Sequence, residues 1–112
     1  MRPGDLYWVE IPAANGYEQA GLRPAVVLQS ERLTSRLTTI QVVPLTSRMK
    51  ARRFPATLVL NPDSSNHLSS KSVALVFQLR AIDRRRLKSK LGTLSAGQLA
   101  QIKGLVRELF EL

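Results

Sequence analysis

Apolar and polar positions change rhythm about three quarters of the way along the chain. Up to Ile82 the apolar residues fall in short, strand-like runs separated by turn signals. Leu6 to Ile11 (LYWVEI) is apolar on both alternating faces except at Glu10, which predicts a strand covered on both sides. Pro24 to Gln29 (PAVVLQ), Thr39 to Leu45 (TIQVVPL) and Ala56 to Leu60 (ATLVL) follow, each rich in Val, Ile, Leu or Thr. Pro44 has no backbone N–H, so an edge or a bulge is expected near the end of the third run. Ser72 to Ile82 (SVALVFQLRAI) fits one bent strand or two.

Beyond Ile82 the spacing becomes helical. Asp83 is placed to cap a short helix over RRRLKSKL, with Leu87 and Leu91 as its apolar residues and Gly92 as its left-handed terminator. The last segment is better specified. Ser95 and Gln98 make a capping box, Leu94 and Leu99 can staple it, and Leu99, Ile102, Val106 and Leu109 line one face that Leu105 and Phe110 widen. Gly104 costs this helix about 1 kcal/mol relative to alanine. The pattern predicts a helix packed on a small barrel. Ser47 to Phe54 and Asn61 to Lys71 (NPDSSNHLSSK) are the irregular segments, of a length that is often functional.

With 112 residues the chain fits one domain, spanning 1–112, able to bury roughly two-thirds of its unfolded surface. Seventeen Lys and Arg against eight Asp and Glu give a net charge of +9, whose field attracts phosphate polymers, acidic peptides or anionic lipid. Nucleic acid is the leading partner on that ground. Cysteine is absent and His67 is the only histidine, so neither a thiolate site nor a dedicated metal cage is expected. No apolar stretch approaches the ~20 residues that cross a bilayer, and MRPGDLYW lacks signal-peptide order, so a cytoplasmic location is expected.

The cations cluster in two places. SRMKARRF sets Arg48, Lys50, Arg52 and Arg53 after a strand and before Phe54, a mixture of charge and ring that suits single-stranded RNA. DRRRLKSK sets Arg84, Arg85, Arg86, Lys88 and Lys90 on the expected short helix, where a solvated face is the simpler reading. Tyr7 and Trp8 point to opposite faces of the first strand, and at least one of them belongs to the core. Tyr17 and Phe54 are the better stacking candidates because each sits in a loop beside charge.

The stretches RPGDLYWVEIP, GYEQAGLRPAVVLQS, VVPLTS and SVALVFQLRAIDRRRL, in this order and at these separations, resemble the MazF/PemK toxins of bacterial toxin–antitoxin pairs. The resemblance runs from Arg2 to about Leu91, and the G-x-E-Q-x-G-x-R-P loop followed by V-P-L-T-S is its most specific part. It implies an SH3-like antiparallel β-barrel of α+β class and a metal-independent, sequence-selective endoribonuclease. It further implies a homodimer with RNA across the subunit junction and an antitoxin with an acidic C-terminal tail as partner. The family's catalytic arginine falls on Arg23 and its catalytic threonine on Thr46. Glu18 and Gln19 match the first loop beside the substrate, Ser47 follows the threonine, and Gln78 and Arg80 match a second segment near the RNA groove. Phe77 departs from relatives that carry a polar or acidic residue there.

Metal-free RNA cleavage requires the 2′-hydroxyl to attack its own phosphate, and a guanidinium with a hydroxyl donor suits the charge that grows on the non-bridging oxygens. Arginine ordinarily keeps its proton far above neutral pH, so Arg23 reads as stabiliser and proton donor rather than base, with Glu18 as its orienting partner or as the base. Plainer readings stand beside these. An Arg-Pro step can stiffen the start of a strand, Glu18 can simply pair with Arg23, and Thr46 can be a strand-end turn residue. His67 is the usual residue type for a nuclease base, but nothing near it in sequence supports that role. Two rival functions are a non-enzymatic, gyrase-binding toxin of the CcdB type, which shares the barrel, and a simple RNA-binding module.

Overall fold

Three strands that bury both of their faces form the middle of the molecule. The structure, a computed structural model, describes residues 1–12 and 21–112. Strands β1 (Asp5–Ile11), β2 (Gly21–Val27) and β3 (Thr39–Thr46) lie antiparallel, with β2 between the other two. Their side chains alternate between two cores. Leu6, Val26, Val43 and Leu45 enter the first, while Val9, Ala25, Val27, Ile40 and Val42 enter the second. Two-sided burial is why these segments read as near-continuous apolar runs. Strands β4 (Thr57–Leu60) and β5 (Ser72–Leu75) extend the sheet beyond β3, and β7 (Leu87–Thr93) extends it beyond β1. Strand β6 (Arg80–Asp83) also pairs with β3. Since β4 and β7 end the order β4-β5-β3-β2-β1-β7, the sheet is open rather than closed, within the expected α+β class.

Pro44 lies in an interior strand, not at an edge. On one side of β3, β6 pairs with Thr39 to Val42 and β5 with Leu45 and Thr46. Pro44 falls where that neighbour changes, so a residue without an N–H is tolerated there. The segment from Ser72 resolves into two strands, β5 and β6, separated by a 3-10 turn over Val76–Gln78.

The expected short helix over 84–91 does not form. Asp83 does cap, accepting from the Arg85 amide at 2.9 Å, but only a 3-10 turn at Arg84–Arg86 follows before β7 begins. Leu87 and Leu91, four apart, fit a helix face, but they equally fit a strand carrying extra residues. Val9 faces Leu87, Tyr7 faces Lys90 and Leu6 faces Gly92, so β7 twice sets an additional residue against β1. Leu87 consequently packs on the second core and Leu91 on the first. Gly92 is no helix terminator. A Cβ there would lie 2.4 Å from the Ser65 carbonyl oxygen and 2.6 Å from that of Asn66, so the glycine permits the 61–71 loop to press onto β7. A short helix, α1 (Glu31–Thr34), instead joins β2 to β3.

The C-terminal helix α2 (Ala96–Phe110) starts as expected, with both hydrogen bonds of the Ser95–Gln98 capping box present. Ile102 is fully buried in the first core, and Leu105 and Val106 pack against it. Replacing Ile102 by alanine would cost about 2–5 kcal/mol. Leu109 and Phe110, expected on the buried face, are exposed.

Candidate active site

The register of two central strands brings Arg23 and Thr46 together. Strands β2 and β3 pair Val26 with Val43 and Ala25 with Pro44, and Arg23 and Thr46 each lie two residues beyond the last of these pairs. Arg23 is half-buried, opposite Val9 of β1, and Thr46 is the last residue of β3. Both line one cleft of about 210 Å³, together with Trp8, Leu22 and Ser47. Thr46 is 2% exposed, and its Oγ1 accepts from the Arg48 amide at 3.2 Å. That bond uses a lone pair and leaves the hydroxyl proton available to a ligand.

The loop before β5 contributes Leu68, Ser69 and Ser70 to the same cleft, and β5 contributes Ser72. Nothing in composition singled these residues out, because a serine-rich loop gives no signal of what it faces. Trp8 was legible only as half of a two-faced pair. Tyr7 packs against the second core, while Trp8, opposite Pro24, contributes to the cleft.

The remaining sequence candidates divide. Tyr17, Glu18 and Gln19 lie outside the described residues. Arg48, just before the 3-10 turn Met49–Arg53 that leaves the cleft after Ser47, and Lys50, Arg52 and Arg53 on that turn are exposed. The Arg53 guanidinium carbon lies 5.2 Å from the centre of the Phe54 ring, and Phe54 meets Phe77 at 5.6 Å between centroids and 53° between planes. Both rings remain substantially exposed, which assigns Phe77 to a surface aromatic pair and not to a core. Gln78 and Arg80 do not line the Arg23 cleft; they border a separate depression of about 330 Å³ with Phe77, Leu79 and Ala81.

His67 is exposed and does not line the cleft either. Its Nε2 sits 2.7 Å from the Ser64 carbonyl oxygen, which only accepts, so that nitrogen carries a proton and donates. Among the described residues no three His, Asp or Glu side chains gather as a metal-binding group.

Comparison with known proteins extends this picture over nearly the whole chain. Residues 2–110 match the family model described as PemK-like, MazF-like toxin of type II toxin–antitoxin system. The chain is 31% identical over 106 residues to the endoribonuclease MazF of Staphylococcus saprophyticus, covering 95% of this chain and 88% of that protein. Among solved structures it superposes on MazF of Deinococcus radiodurans with a TM-score of 0.83 at 31% identity, covering 100% of this chain and 97% of that one. A MazE–MazF complex from the same organism matches with a TM-score of 0.77 at 29% identity, covering 100% and 96%.

Proposed function

The chain belongs to the PemK-like, MazF-like toxins of type II toxin–antitoxin systems, and from that premise we propose that it is a ribosome-independent, sequence-selective endoribonuclease acting on single-stranded mRNA without a metal ion. The observation that carries this reading is the single cleft lined by both Arg23 and Thr46. The 2′-oxygen attacks the adjacent phosphorus as its proton leaves, the bond to the 5′-oxygen breaks, and that oxygen takes up a proton. The products are a 2′,3′-cyclic phosphate and a 5′-hydroxyl. Arg23 and the Thr46 hydroxyl hold the negative charge that grows on the non-bridging oxygens, each such donor being worth on the order of 100-fold to 1,000-fold. Arg23 also protonates the departing oxygen, and Glu18 orients Arg23 or accepts the 2′ proton. In-line positioning of the attacking oxygen supplies further acceleration.

Tyr17, Gln19, Ser47, the cations of 48–53, Phe54, Gln78 and Arg80 form the surrounding RNA surface in this reading. The protein works as a single domain in the cytoplasm; among the described residues no helix is long and apolar enough to cross a membrane. A cognate antitoxin inhibits it by laying an acidic C-terminal tail over the basic surface. The MazE–MazF complex of the Deinococcus relative supports that partnership. A homodimer is supported by the exposed Leu109 and Phe110 of α2, apolar surface that a second copy would cover.

The test is incubation of the purified protein with a long transcript in EDTA, beside Arg23→Ala. Discrete fragments ending in 5′-hydroxyls are expected from the parent, with cleavage by the variant reduced by about 100-fold or more. Retarded but uncut RNA would leave only a binding module, and inhibition of supercoiling without RNA loss would point to a gyrase-binding toxin.

A further inference from the structure

We propose that the turn Leu68–Ser70 is the sequence-reading wall of the cleft: the Ser69 and Ser70 hydroxyls contact the nucleotide beside the scissile phosphate, and Asn66 is the positioning residue that holds them there. The proposal rests on the endoribonuclease reading. Arg23 and Thr46 address a phosphate, which is the same at every position of an RNA, so the choice of nucleotide requires other groups on the cleft. The same cleft is lined by Ser69 and Ser70, both exposed, and neither hydroxyl is hydrogen-bonded to a described residue. A serine hydroxyl donates and accepts, matching the mixed donors and acceptors of a base edge or a ribose 2′-hydroxyl.

The turn is held far more firmly than a connection between β4 and β5 requires. Asn66 is fully buried. Its Oδ1 accepts from the Asp63 and Leu68 amides, each at 3.0 Å, and its Nδ2 donates to the Asn61 carbonyl at 2.8 Å. Asp63 in turn accepts from the Ser65 and Asn66 amides at 2.8 and 2.7 Å. Beneath, the Thr93 amide donates to the Ser65 carbonyl at 3.0 Å, and Gly92 leaves room for that contact. Beyond the turn, Leu68 is anchored in the first core and the buried Ser72 donates to the Ser70 carbonyl at 3.0 Å. A buried amide whose oxygen and nitrogen are both hydrogen-bonded rigidifies its surroundings, and a wall fixed before the ligand arrives loses little freedom on binding.

The experiment compares the parent with Ser69→Ala/Ser70→Ala, Asn66→Ala, Asn66→Asp and the control Gly97→Ala, whose added methyl meets nothing closer than 3.9 Å. Cut sites on a long RNA are sequenced from their 5′-hydroxyl ends, and single-turnover rates are measured at favoured and disfavoured sites. The serine double variant is expected to lower the favoured-to-disfavoured ratio about tenfold. The loss should fall on the favoured sites, and rates at disfavoured sites should stay within about threefold of the parent's, since no base-specific hydrogen bond is lost there. Asn66→Ala should lower the ratio similarly, and Asn66→Asp, which sets an acceptor against the Asn61 carbonyl where the Nδ2 had donated, should lower it as well. An unchanged ratio, or equal slowing at all sites, overturns the proposal. If Asn66→Ala lowers only the melting temperature, the positioning role is lost. A second readout needs no cleavage: the single tryptophan, Trp8, lines the cleft, so its fluorescence reports binding of a 2′-O-methyl oligoribonucleotide. A parent that binds but does not cut removes the endoribonuclease reading alone, whereas equal binding by parent and serine variant removes the serine wall.

Discussion

Arg48, Lys50, Arg52 and Arg53 follow β3, while Arg84, Arg85, Arg86, Lys88 and Lys90 run into β7. By sequence the second cluster is the larger and denser. In the structure most of its charge is already engaged. Arg85 meets Asp83 through two nitrogens at 3.1 and 2.9 Å, Lys88 lies 3.7 Å from Glu10, and Lys90 lies 3.5 Å from Asp5. Arg84 donates to the Thr34 and Leu37 carbonyls at 2.9 and 3.2 Å, pinning the end of α1. Around 48–53, by contrast, no carboxylate among the described residues lies within ion-pairing distance, and the 3-10 turn is ordered by its own backbone bonds. The Thr57 hydroxyl closes it by donating to the Phe54 carbonyl at 2.9 Å. The field a polyanion meets depends on how many cations lack a local counter-charge, and the smaller cluster offers more.

The largest expected contrast comes from converting Arg48, Lys50, Arg52 and Arg53 together to glutamine. RNA affinity at low salt should fall on the order of 100-fold, and the slope of log affinity against log salt should flatten by about 0.7 for each phosphate no longer neutralised. A slope that does not change would remove the loop from the RNA surface. Next is the aromatic pair beside that loop. Phe54→Ala and Phe77→Ala should each weaken oligonucleotide binding by roughly tenfold if a base stacks there, measured by fluorescence titration. An effect confined to thermal stability would make the pair structural.

Neutralising Arg85, Lys88 and Lys90 should change affinity by no more than about threefold, because paired surface charges add little. A loss equal to that of the first cluster would erase the distinction. The smallest effect concerns acid. Arg85 donates to Asp83 from its side chain and its backbone and lowers the carboxyl from 3.8 to about 2. A carboxyl depressed on folding stabilises the native state above its ordinary range and loses that contribution as pH falls toward its folded value. Melting curves of the parent and Asp83→Asn should therefore differ slightly at pH 6 and converge as the pH approaches 2. A constant difference would show that the pair does not titrate with folding.

The same contrast separates what was legible from what was not. The strands of the central sheet and the capping box of α2 follow from local patterns, because two-sided burial and capping each leave a fixed spacing. The segment after Asp83 misleads. Two leucines four apart satisfy a helix face, and only the irregular pairing of β7 with β1 decides for a strand. Arg23 and Thr46 were nameable through the family pattern, yet Ser69, Ser70 and Trp8 became visible as cleft residues only when the loop and strands were assembled.

By itself, the sequence determined the strand-rich body, the terminal helix, the excess of positive charge and the residue types suited to a phosphate, since periodicity, capping and composition are local properties of the chain. Tertiary structure decided which cations keep their charge for a partner, which loop shares the cleft with Arg23, and why Gly92 must be a glycine. Each of these depends on residues distant in sequence meeting at a few ångströms, a distance that strand register sets and local spacing does not encode.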